Sequence, residues 1–182
     1  MSGNESLIDL LMVETSRRNT DLIADIIVNK PSLFDELVLI YLRNEEPLSR
    51  RAAWVVDTVS EKIPNLLDPY LGSIAATLPR FDHDGLKRLS LRMLSRSPLP
   101  QKYLGELMNL CFDWLISSKE SVAVKVYAME ILYTISQVEP ELKKELADSI
   151  EWRIGEETAG FKNRGLKTLK KLYKEMNSGK FV

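Results

Sequence analysis

Residues 50–57 read Arg50-Arg51-Ala52-Ala53-Trp54-Val55-Val56-Asp57, and residues 87–94 read Lys87-Arg88-Leu89-Ser90-Leu91-Arg92-Met93-Leu94. In both, a base stands three residues before a small residue. The pattern occurs twice more, as Lys125 before Ala128 and Lys162 before Gly165, and the four small residues lie 37, 38 and 37 apart. Three and four residues beyond them come Val56 and Asp57, Met93 and Leu94, Ile131 and Leu132, and Thr168 and Leu169. Apolar side chains recurring at three and four residues mark a helix face, so each copy predicts one amphipathic helix with a small residue mid-face.

The same periodicity extends outward in both directions. Leu7, Leu10 and Leu11 predict a first helix over 5–18, and Leu22, Ile23, Ile26 and Ile27 a second over 21–29. A third starts with Pro31 at its first position and runs to 44. Further helices are expected at 48–62, 67–78, 84–96, 100–117, 120–137, 140–154 and 159–176. Val122, Val124 and Val126 alternate as a strand would, yet Val122, Val126, Met129 and Tyr133 also fit a helix, and the segment is too long for an ordinary strand. Helix is the reading adopted there.

The connections repeat as well. Pro64, Pro100 and Pro140 each follow a small-residue anchor by 10 to 12 residues, where they would open the next helix, and Tyr70-Leu71-Gly72 recurs as Tyr103-Leu104-Gly105. Glu45, Glu46, Asp82, Asp84, Glu120, Glu156 and Glu157 lie at or just before helix starts, where carboxylates complement the positive end of the helix dipole. A two-helix unit of this period cannot bury its apolar face alone, and stacked neighbours form one continuous core. The fold class expected is all-α, a right-handed α-solenoid of stacked antiparallel helix pairs.

This pattern resembles HEAT repeats, within the armadillo-type superhelices, over roughly residues 45–176. The resemblance rests on Arg50-Arg51-Ala52-Ala53 and Lys87-Arg88-Leu89-Ser90, a basic and a small residue near the start of the second helix of a pair. The period is on the short side, and leucine replaces Asp57 in the later copies. No linker marks a boundary, so one domain is expected over 1–182: degenerate N-terminal helices at 1–44, central repeats at 45–158 and a basic capping helix at 159–182. The resemblance implies a scaffold for a partner, since such solenoids serve many unrelated ones.

Composition narrows the chemistry. In 182 residues, 25 Lys and Arg stand against 26 Asp and Glu, a formal net charge of −1, so the global positive field of a nonspecific nucleic-acid binder is missing. One cysteine, Cys111, and one histidine, His83, can make neither an intrachain disulfide nor a closed zinc site of nitrogen and sulfur ligands. No stretch reaches the ~20 apolar residues that span a bilayer. The start, Met1 to Ser6, has no basic region of the secretory type. A cytoplasmic chain without metal or other cofactor is expected.

Each chemical candidate has a plainer alternative. Asp82-His83-Asp84 lies in an interhelical turn, where Asp82 or Asp84 would cap a helix and His83 would be exposed. Gly155 to Lys162 imitates a phosphate loop, but Phe161 displaces the lysine and no strand precedes it, so Gly155 and Gly160 are read as helix punctuation. Cys111 among Leu110, Phe112 and Leu115 is read as buried and inert. Trp54 with Asp57 is reminiscent of the alkylpurine DNA glycosylases, though the basic groove of that family is missing, and an ion pair with Arg50, Arg51 or Arg88 is the plainer expectation. Trp114 and Trp152 are expected as packing anchors.

The expected function is therefore a non-enzymatic protein-interaction or scaffold module, with no catalytic residue. Its partner would be another protein, with no membrane and no small-molecule substrate. The alternative is a nucleic-acid-binding HEAT-like protein, which would need Arg51, Arg88, Lys125 and Arg164 to share one exposed groove. The bases ahead of the anchors have a structural alternative, a ladder of ion pairs between repeats. From residue 161 onward seven bases, Lys162, Arg164, Lys167, Lys170, Lys171, Lys174 and Lys180, face one acid, Glu175, giving +6 and leaving −7 for the remainder. Arg164, Lys167, Lys170, Lys171 and Lys174 are thus candidate partner-binding residues, or else the polar outside of a solenoid cap.

Overall fold

The computed structural model describes residues 6–178; the amino-terminal reading at 1–5 and Lys180 lie outside them. Among the described residues there are ten α-helices and no strand: α1 Leu7–Val13, α2 Arg17–Asn29, α3 Phe34–Leu42, α4 Leu48–Lys62, α5 Leu71–Thr77, α6 Asp84–Ser95, α7 Leu104–Ile116, α8 Val122–Val138, α9 Leu142–Ile154 and α10 Ala159–Ser178. The valines at 122–126 belong to α8, with Ser121 as its N-cap accepting from the Val124 N–H.

Several boundaries differ from expectation for local reasons. The helix expected over 5–18 ends at Val13, because Glu14 and Ser16 are extended. Ser16 caps α2 by accepting from the Asn19 N–H, while the Asn19 amide donates to the carbonyls of Leu10 and Glu14 and satisfies the end of α1. Pro31 and Pro64 open 3₁₀ turns, Pro31–Leu33 and Pro64–Leu66, and the α-helices begin later at Phe34 and Leu71. Proline has no N–H to give and tightens the entry. The repeated Tyr-Leu-Gly marks one junction twice: Tyr70 and Tyr103 each end a 3₁₀ turn and precede α5 and α7.

The helices form two compact units, residues 1–100 and 101–182. In the first, α4 packs against α1, α2, α3 and α6 and carries the core through Ala52, Ala53, Val55, Val56 and Val59. Phe34 meets Tyr70 edge-on and Tyr41 stacks on Phe81. In the second unit α8 holds the corresponding place against α7, α9 and α10, through Val124, Ala128, Met129, Ile131, Leu132 and Ile135.

All four small anchors are buried, on α4, α6, α8 and α10. Smallness admits a helix of the alternate set in two of them. The Ser90 hydroxyl takes the Tyr41 hydroxyl of α3 and also donates to the Leu86 carbonyl. At Gly165, a Cβ would sit 3.1 Å from Ile150 Cγ2 on α9.

Candidate functional site

α10 is amphipathic over five turns. Phe161, Gly165, Thr168, Leu169 and Leu172 recur at helical spacing and are buried against α8 and α9. At 100° per residue, Lys167, Lys170, Lys171 and Lys174 gather on the opposite arc, and all four are exposed. Among the described residues none of them is ion-paired. The Lys171 ammonium lies 5.0 Å from the centre of the Tyr133 ring, a cation–π contact that leaves its charge in place. Arg164, one turn earlier, is 3.0 Å from Glu130 on α8 and is neutralised. The one acid, Glu175, faces α8 and the start of α9: the Tyr133 hydroxyl donates to it at 2.6 Å and Lys143 lies at 2.9 Å. Those two contacts, Tyr133 first, hold its carboxyl down at about 2. The lysine ridge is left with no acid on its own arc.

The other candidates are described each within its own unit. Lys125 is only 3% exposed and donates to Glu157 at 2.5 Å, while Arg153 donates to the same carboxylate at 2.5 Å. Burial pushes the Glu157 carboxyl up, and the two cationic donors outweigh it, leaving it below its usual range. Arg51 donates to the Leu11 carbonyl at 2.9 Å and so closes the end of α1. Arg88 is half-buried on α6. Three of the four bases that a nucleic-acid groove would use are thus engaged within their own units: Lys125 faces inward, Arg51 holds a backbone carbonyl, and Arg164 is paired.

Asp57 is 1% exposed, and its partners are not Arg50, Arg51 or Arg88 but Arg92 of α6 and Arg96, which follows the last residue of α6. Both arginines also bind Glu61, so two carboxylates on α4 face two guanidinium groups at the end of α6. Burial raises the Asp57 carboxyl above its usual range against the pull of Arg96 and then Arg92. With both oxygens taken, Asp57 presents nothing to a substrate, and its likeness to a glycosylase aspartate ends there. This clamp was missed, although it left a signal: acids at 57 and 61 and bases at 92 and 96 share a spacing of four and sit about one repeat apart.

Three further expectations are corrected. His83, and neither Asp82 nor Asp84, caps α6, its Nδ1 accepting from the Gly85 N–H at 2.9 Å. Trp114 is a packing residue, whereas Trp152 is 67% exposed. The ladder between repeats exists at Lys125–Glu157 but uses Arg92 and Arg96 in the first unit, while Arg50 pairs with Glu46, four residues earlier in the turn that leads into α4. Cys111 is buried and free, and burial pushes its thiol up, away from the thiolate a nucleophile needs.

Ten helices, no strand among the described residues, and buried small residues returning at a near-constant period define a helical repeat protein. A family model described as a HEAT repeat domain matches residues 7–172, and the chain belongs to that family. The match takes in α1 to α3, which by sequence stood outside the clear repeats. No curated protein and no solved structure matches the chain. No helix among the described residues is long and apolar enough to cross a membrane.

Proposed function

We propose that this chain is a non-enzymatic protein-interaction module that holds an acidic partner on the lysine ridge of α10. The observation that carries the reading is the alignment of Lys167, Lys170, Lys171 and Lys174 on one solvent face, with no carboxylate paired to them among the described residues. HEAT repeats generally mediate protein interactions, and a repeat stack offers extended surface without needing a catalytic pocket. A right-handed superhelix of antiparallel pairs, and a single domain across both units, belong to the same reading. So does a cytoplasmic location, which a free, buried cysteine suits.

The test is retention on an immobilised polyglutamate peptide and, in parallel, on duplex DNA. Wild type should be held by the peptide at low salt and released as salt rises, because screening acts over about 8 Å at physiological ionic strength. Reversal of the four ridge lysines to Glu should abolish retention with the thermal midpoint unchanged. Binding to the peptide that survives this reversal would refute the ridge. Equal or tighter, ridge-dependent binding to DNA would move the function to the nucleic-acid reading.

A further inference from the structure

The outer face of α9 carries the opposite charge in the same pattern. Glu141, Glu145 and Asp148 are all exposed and stand at positions one, five and eight of a helical stripe, with Trp152 one turn further. They line an open, largely apolar groove of about 570 Å³ that Ile116 of α7 also lines. Among the described residues Lys144, paired with Asp148 at 2.7 Å, is the one base lining it. On α10 the lysines stand at 167, 170, 171 and 174, so each stripe covers eight residues, a rise of about 10 Å along the helix. Leu166 and Tyr173, both exposed, flank the lysines as Trp152 and Ile116 flank the acids.

From this match we infer that the acidic partner of the ridge is a second copy of this chain, whose α9 groove receives α10. In the antiparallel register Lys174 faces Glu141, Lys170 and Lys171 face Glu145, Lys167 faces Asp148, and Leu166 comes to Trp152 and Ile116. The two faces cannot meet within one chain. The ridge points away from Phe161, Gly165 and Leu172, the α9 stripe points away from Leu146, Ala147 and Ile150, and these buried sets share one core. Segregation of charge supports a contact between copies: residues 101–158 hold 6 bases and 11 acids, residues 161–182 hold 7 bases and 1 acid. At a net charge of −1 the whole chain exerts almost no repulsion on another copy. The contact is one helix in one groove, smaller than the ~1,600 Å² of a standard stable interface, so association is weak, reversible and salt-sensitive.

The inference rests on the ridge reading, and charge exchange separates the two. One variant carries Lys167→Glu, Lys170→Glu, Lys171→Glu and Lys174→Glu; the other carries Glu141→Lys, Glu145→Lys and Asp148→Lys. Sedimentation velocity of the full chain at low salt should show wild type gaining mass with concentration and losing it at high salt. Each variant alone should remain monomeric, because its two faces then bear like charge, and an equimolar mixture should associate again. Circular dichroism and the thermal midpoint establish that both variants are folded; if either is not, a variant with the four lysines changed to Gln and one with Glu141→Gln, Glu145→Gln and Asp148→Asn should each lose association alone, and their mixture should regain it, because the lysine ridge of one still meets the acidic groove of the other. A monomeric wild type at every concentration, undiminished association of either variant, or a charge-exchanged mixture that stays monomeric would each overturn the inference. If wild type stays monomeric yet polyglutamate is still captured through the ridge, the ridge stands and its partner is a different acidic protein. If neither occurs, both readings fall.

Discussion

The Asp57 clamp is unequal in its two halves. Arg92 and Arg96 keep about a third of their side-chain surface in water, whereas Asp57 keeps almost none. Removing the aspartate leaves two guanidinium groups with Glu61 and solvent; removing the arginines leaves a carboxylate in the core. Breaking a buried pair in that second sense costs ~3–5 kcal/mol. Arg92→Met with Arg96→Met should therefore lower the chemical-denaturation stability far more than Asp57→Asn, and equal losses would contradict the asymmetry. The pH dependence runs in two directions. A carboxyl raised in the fold, as Asp57 is, binds its proton more readily when folded, so it favours the native state as pH falls. Glu175 is depressed from 4.5 to about 2, so its contribution is full above pH 4.5 and is lost as pH falls towards 2. Glu175→Gln should lower the thermal midpoint near neutrality and flatten its fall over that window, while an unchanged acid profile would deny the contact with Tyr133 and Lys143 any weight.

At the scale of the element, a helix of this chain is built around what its mid-face leaves room for. Ser90 admits the ring of Tyr41 and gives its buried hydroxyl a partner, and burial pushes that phenol up out of its usual range. Ser90→Leu should overpack α6 against α3 at ~1–3 kcal/mol and also orphan the Tyr41 hydroxyl, which adds ~1–3 kcal/mol more. An unaltered thermal midpoint would show that α3 does not depend on the small anchor. α10 separates packing from charge: Phe161→Ala should cost ~3–5 kcal/mol by emptying its buried face, whereas ridge substitutions should stay within ~0.5 kcal/mol. Urea titrations of both should therefore differ severalfold in lost stability.

For the molecule as a whole, the two compact units each have one central helix, α4 and α8, and each central helix buries one charge that other parts of its own unit answer. The HEAT match runs from 7 to 172 without respecting the division at residue 100. That continuity supports the proposal of one cooperative domain. Calorimetry should give one transition with equal calorimetric and van't Hoff enthalpies. Two separable transitions, with only one shifted by Phe161→Ala, would make the units independent domains.

Helix type, helix number and the buried anchors could all be read from the chain, because apolar spacing and small residues report on nearest neighbours along one helix. Only the helix starts at the prolines and the break at Glu14 escaped, since capping depends on which carbonyl a side chain such as Asn19 happens to reach. The ridge of α10 was legible for the same reason: four lysines at three and four residues must share a face, opposite Leu169 and Leu172. Which charges remain available was not legible. Lys125 and Arg164 look alike in sequence to Lys167 and Lys170, and they differ only because Glu157 and Glu130, more than 30 residues away, come to within bonding distance. The exposure of Trp152 is of the same kind. Periodicity tells which residues share a face of a helix, but whether that face meets another helix or water is decided by how the helices pack, and with it which charges are left for a partner.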